Sequence, residues 1–145
     1  MLKIDRLSLE DAHILIEGAT QKSRAMGIPM CIAVCDESGN LLAFDRMDGG
    51  KASSISIAID KAFTSASARN PTHVYNQLCQ PGQPTFGIHV TNGGHFCIIG
   101  GGLPVRVAGA VVGGIGISSG TAIEDLEVAE AAVAYFYAKT GLNGA

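Results

Sequence analysis

Residues 100–121, GGGLPVRVAGAVVGGIGISSGT, are built almost entirely from glycine, small and β-branched residues. Two physical readings compete for such a stretch. A phosphate cradle uses glycine because backbone N–H groups must come close to an anion, with a helix opening directly on it. Glycine also collects where strands end, bulge or pass beneath a neighbouring backbone. The first reading fails on chemistry. A P-loop needs G-x-x-x-x-G-K-[ST], and no glycine of this stretch is followed by that lysine. GIGISSGT imitates a dinucleotide fingerprint, but no βαβ unit surrounds it and the chain ends soon after one helix, leaving no acid to meet a ribose. The carboxylate of Glu124 would also repel an anion at that helix start. The stretch reads instead as a β-hairpin turning at Ala108-Gly109, followed by a helix with Thr121 as N-cap and Glu124 at the third position of a capping box. Gly113, Gly114 and Gly116 then mark close packing of a helix on the sheet.

Outward from there, HFCII at 95–99 has the composition of a further strand, and Gly141 ends the last helix, whose apolar side is Ala129, Ala132, Val133 and Phe136. Residues 80–94, QPGQPTFGIHVTNGG, hold too much Pro and Gly for regular structure, and a loop of that length in a small domain is often functional. Residues 52–68 show a short period of two at SISIAI, yet Ile55, Ile59, Ala62 and Ala66 recur at threes and fours, which predicts a helix. A short helix follows from Thr72 as N-cap. MCIAVCDESGNLLAFDRM, 30–47, is a hairpin around Glu37-Ser38-Gly39-Asn40, and both alternating faces of its first arm are apolar, which calls for helices on both sides of the sheet. Residues 8–26 form an amphipathic helix capped by Ser8, with Leu9, Ala12, Leu15, Ile16 and Ala19 on one face and Gly27 at its end. The sum is an α+β layered domain spanning 1–145, with a five-stranded, mainly antiparallel sheet.

Composition narrows the function. Charged residues are 16% of the 145, against an ordinary share of about 25%, while hydrophobic residues reach 47%. So little charge implies that part of the surface is covered by another copy, giving a homodimer or higher homo-oligomer. The net charge of −3 and the lack of any Lys/Arg run exclude the footprint of nucleic-acid binding. The N-terminus has acids where a signal peptide needs an apolar segment, and no run reaches the ~20 apolar residues of a membrane span, so the expected location is the cytoplasm. Cys31 and Cys35, about 13 Å apart along one strand face at ~3.3 Å per residue, are too far apart to bridge. Neither they nor Cys79 and Cys97 make a zinc spacing, and all four read as reduced thiols.

Four segments, SIAIDKAFTSA, QPGQPTFGI, TNGGHFCIIGGGLPVR and GAVVGGIGISSGT, occur in the order and character of the signature segments of the GlcG/HbpS family, which includes the C-terminal domain of the PduO-type cobalamin adenosyltransferase. The chain resembles that family from about residue 8 to residue 138. The resemblance implies a profilin-like α/β/α sandwich that assembles into dimers and higher oligomers, and in some relatives haem binding. The adenosyltransferase chemistry belongs to the other domain of the PduO-type protein.

The candidate residues follow from both lines. The resemblance implies His13, in the first helix, as a haem axial ligand; helical spacing alone sets it beside Glu10 and Glu17, off the apolar face, as an ordinary exposed histidine. His89 and His95 flank the long loop and could share a metal or proton-transfer site, although the sequence identifies no carboxylate to complete it. His73 reads as solvated. Asp60-Lys61 is a charged dipeptide in an otherwise apolar helix, and each must reach a partner, a pocket or solvent; Lys61 could meet a ligand carboxylate or form a salt bridge to Asp36, Asp45 or Asp48, and Arg46 and Asp48 have the same ambiguity. No catalytic set emerges, since Ser118 and Ser119 lack the nucleophile elbow and no cysteine has an evident activating neighbour. The expected function is therefore a small-molecule-binding module without turnover, taking haem or another tetrapyrrole. Its pocket would use Arg46, Lys61, Phe86, His89, Gly100, Gly101 and Gly102. The alternatives are a small enzyme or accessory factor for a hydroxy-acid, diol-related or corrinoid metabolite, and an assembly protein without a ligand.

Overall fold

The computed structural model describes residues 1–145. Two β-hairpins form one sheet. The first is β1 (Cys31–Asp36) with β2 (Leu41–Arg46), and the second is β3 (Gly102–Val107) with β4 (Ala110–Ser118). They join through β1 and β4, which run antiparallel with Ala33 opposite Gly116 and Val34 opposite Ile115, giving the order β2-β1-β4-β3. The second hairpin turns at Ala108 and Gly109, both at positive φ (48° and 80°), as a tight two-residue turn requires.

Every residue of β1 is buried, because each face of the strand meets a different helical layer. Ile32 and Val34 pack with Leu15 and Ile16 of α1 (Leu9–Met26) and with Val128 and Phe136 of α4 (Ala122–Thr140). Cys31, Ala33 and Cys35 pack against Ala58, Ala62 and Ala66 of α2 (Ser54–Ser67). The α2 layer is built from small residues, so its backbone lies directly on the strands. A Cβ on Gly116 would collide with the Ala58 carbonyl and the Ala62 amide; one on Gly102 would come within 2.6 Å of the Lys61 carbonyl oxygen. The glycines of 100–121 therefore let helix and sheet backbones touch.

Both long helices end as their sequences dictate. Ser8 and Thr121 accept from the N–H three residues on, and Asp11 and Glu124 return the bond to the cap backbone, two complete capping boxes. Gly27 and Gly141 close the helices at φ 71° and 74°. The face of α1 differs from the expected one at its start, where Leu9 is exposed while Gly18 and Ser23 are buried against α4 and within α1.

Two expectations need correction. The sheet has four strands, not five. Residues 95–99 make no ladder because side chains meet their backbone: the Cys97 N–H donates to Thr64 Oγ1 at 2.8 Å, the Thr64 hydroxyl donates to the His95 carbonyl, and Asn76 Nδ2 donates to the Ile98 carbonyl. Phe96 meanwhile packs edge-on against Tyr75, centroids 4.8 Å apart. Thr72 is not the cap of the short helix α3 (Val74–Leu78); its hydroxyl accepts from the Gly102 N–H at 2.9 Å and fixes the start of β3.

Candidate functional site

Two adjoining hollows run between the exposed side of α1 and β2, which is an edge strand. One, of about 360 Å³, is bounded by His13, Ile16, Glu17, Gln21 and Arg24. The other, of about 490 Å³, continues past Phe44, Arg46, Met47 and Asp48, and the two share Thr20, Arg24 and Asp45. The trough exists because α1 turns a polar face outward and β2 has no strand beyond it. His13, Arg24 and Arg46 are all exposed along it. Arg24 enters none of the chain's ion pairs, and Arg46 holds only the Gly50 carbonyl through Nε at 3.0 Å. The trough therefore offers an imidazole and two guanidinium groups to a ligand, with the carboxylates of Glu17, Asp45 and Asp48 along the same walls and Phe44 and Met47 as apolar surface.

Lys61 lies elsewhere, at 1% exposure. Its ammonium donates to the Ile117 carbonyl and to Asp125 Oδ2, each at 2.8 Å. Asp125 Oδ1 accepts from the Gly120 N–H at 3.0 Å. The partner is thus Asp125, in the first turn of α4, and not Asp36, Asp45 or Asp48. Asp36 instead holds the hairpin turn, accepting from the Ser38 and Asn40 amides. Burial pushes the Asp125 carboxyl above the ordinary aspartate value, while the Lys61 hydrogen bond and charge and the Gly120 amide draw it back. Gly101 is part of this arrangement: at φ 120° it passes so close that a Cβ would stand 2.9 Å from Lys61 Nζ and 2.7 Å from the Asp125 Cβ. Lys61, Gly101 and Gly102 are therefore brought together in the interior, with Gly100 against His73 and Ala122 at its margin.

The 80–95 loop presents its groups outward. Phe86 is 64% exposed, and His89 is exposed with Nδ1 3.1 Å from Cys79 Sγ. His95 Nδ1 lies 2.8 Å from Asp60 Oδ1, the carboxylate that sequence reasoning did not supply. His89 and His95 thus have separate partners, and no cluster of three or more His, Cys, Asp or Glu side chains is placed to hold a metal ion. The cysteines are all free thiols; burial pushes the Cys35 thiol up to about 12, and those of Cys31 and Cys97 up as well. No helix is long and apolar enough to cross a membrane.

A family model described as "Haem degrading protein HbpS-like" matches residues 7–134. The chain belongs to the HbpS-like family. Within that setting, it is 34% identical over 134 residues to the uncharacterized 15.0 kDa protein of the dhaT-dhaS intergenic region of Citrobacter freundii, covering 92% of this chain and 94% of that one. The crystal structure of Klebsiella pneumoniae protein ORFY superposes with a TM-score of 0.93 at 32% identity, over 95% of each chain. The crystal structure of a PduOC:heme complex superposes with a TM-score of 0.88 at 27% identity, covering 96% of this chain and 98% of that one.

Two pairs escaped the sequence reading. Asp125 was hidden behind Glu124, whose capping role accounted for the helix start. The available signal was Lys61 itself, a cation among Ala58, Ala62 and Ser65 that had to find a buried carboxylate. Asp60 stood out as a charge needing a partner, but its pairing with His95 spans 35 residues and no local pattern names it.

Proposed function

We propose that this protein is an oligomeric haem- or tetrapyrrole-binding module without turnover of its own, and that it holds the ligand in the trough between α1 and β2. The carrying observation is the likeness to the PduOC:heme complex along nearly the whole chain, within the HbpS-like family. The donor set of the trough fits the group. His13 offers a neutral imidazole nitrogen for an axial position, and Arg24 and Arg46 offer fork-shaped donors to the carboxylates at a tetrapyrrole's edge. Bound haem would supply an iron centre with a strong visible absorption. The chain's own residues ligate, orient and neutralise charge.

The trough is open and mostly polar, so one copy covers a single face of a porphyrin. A second copy across β2 would remove the other face from water, which agrees with the low charge of the chain as a whole. The test is titration of the purified protein with haemin, followed by the Soret band. Saturable binding with a shifted band is expected, and it is weakened when Arg24 and Arg46 are both changed to Ala. An unchanged haemin spectrum defeats the reading. A shift that survives intact in His13→Ala removes the axial assignment alone.

A further inference from the structure

On the α2 side of the sheet, a second hollow of about 550 Å³ opens between the helix, the tip of the first hairpin and the 92–95 turn. Its floor is Ile59 and Phe63 of α2, with Gly39, Ser56 and Asn92 around it. At its rim stands the His95–Asp60 pair. A carboxylate only accepts, so the neutral imidazole carries its proton on Nδ1 toward Asp60 and leaves the Nε2 lone pair free.

The backbone that carries the imidazole is fixed as well. The His95 N–H donates to the Asn92 carbonyl at 3.2 Å, and the His95 carbonyl accepts from Thr64 Oγ1 of α2 at 3.3 Å. Asp60 lies on the same helix one residue before the buried Lys61, so the carboxylate and the apolar floor share α2, and His95 reaches them from the 92–95 turn. Beside the pair, Phe63 and Ile59 remain half-buried at the floor of the hollow, with Gly39 close against the Phe63 ring.

We propose that this hollow binds a small, uncharged aromatic compound bearing a hydroxyl group. The ring lies on Phe63 and Ile59, where flat apolar area is available. The ligand O–H donates to His95 Nε2. The Asp60 carboxylate directly behind the imidazole repels a carboxylate or phenolate, so the neutral form is selected. The site is separate from the α1–β2 trough and does not depend on tetrapyrrole binding.

The test uses the intact protein with 4-methylphenol and its methyl ether, 4-methylanisole, which share the ring and differ in the O–H. Binding is read from the imidazole carbon-bound proton resonance of His95 and from equilibrium dialysis. The phenol is expected to bind roughly tenfold tighter than the ether. His95→Ala, an exposed change that leaves the melting curve in place, should remove that preference, and Ser56→Leu, which fills the hollow, should abolish both. Equal binding of the two compounds, binding of neither, or a preference that persists in His95→Ala would overturn the assignment.

Discussion

The Lys61 ammonium lies 2.8 Å from the Asp125 carboxylate, and the two side chains are 1% and 3% exposed. The pair joins α2 on one face of the sheet to α4 on the other, around the end of β4, where the Ile117 carbonyl and the Gly120 amide complete its hydrogen bonds. Breaking such a pair strands a charge where water cannot reach. Lys61→Met is expected to cost about 3–5 kcal/mol in urea unfolding at neutral pH, and Lys61→Met/Asp125→Leu should recover most of that loss. The Lys61→Met deficit should also shrink in acid. Burial already raises the Asp125 carboxyl, and without Lys61 it rises further, so the native state takes up a proton before the unfolded chain does and the penalty is lifted as pH falls.

Glycine positions separate into two kinds that one substitution series distinguishes. Gly116→Ala drives a methyl into the Ala58 carbonyl and Ala62 amide, backbone atoms that cannot rotate aside, so a loss of at least ~3 kcal/mol is expected. At Gly27 nothing lies within 4 Å of the added carbon, and only the left-handed φ of 71° opposes it. Gly27→Ala should cost about 1–2 kcal/mol. Melting of both variants checks the contrast, and equal losses would contradict the close helix-on-sheet approach.

The N-terminal segment is tied down by Leu7, whose N–H donates to the Val112 carbonyl, and by an ion pair from Arg6 to Glu37. The Arg6 hydrogen bond holds the Glu37 carboxyl at about 2, below its ordinary 4.5. The folded group stays ionised while the unfolded one takes up a proton, so the pair's contribution is complete above pH 4.5 and is lost as pH falls toward 2. Glu37→Gln should be less stable than the parent at pH 7, and the gap should close over that acid range in a pH series of melting curves.

Thiol labelling gives a further check. Cys31 and Cys35 are at most 1% exposed, and burial holds the Cys35 thiol at about 12. Native protein treated with iodoacetamide near pH 8 should leave both unmodified, because thiolate and access are both missing. In denaturant all four cysteines should react, as free thiols do. Mass spectrometry of the labelled peptides reads the pattern.

Local chemistry was legible where it is self-contained. The N-cap at Ser8, the capping box at Thr121, the Gly27 and Gly141 stops and the Ala108-Gly109 turn each depend on residues within a few positions of one another, and each stands as the sequence implied. The double burial of β1 was legible too, since an apolar residue at each of positions 31–35 leaves no face for water. The segment 95–99 misled because its composition suits a strand, while the partner that claims its backbone, Thr64, sits 31 residues upstream on a helix. Lys61 was recognised as needing a partner, but the choice among aspartates was a question of which one the fold brings to it.

The amino-acid order by itself determined the hairpins, the long helices and their ends, the reduced state expected of the thiols and the dismissal of a phosphate cradle, because hydrogen bonding and periodicity over a few residues decide those. Only the tertiary structure decided that Asp125 meets Lys61, that Asp60 meets His95, and that His13, Arg24 and Arg46 line one trough. Those groupings join residues from separate elements, and their geometry is fixed by how the helical layers pack on the two faces of the sheet, closely on the α2 side where glycine permits it, a property of packed layers that no local pattern encodes.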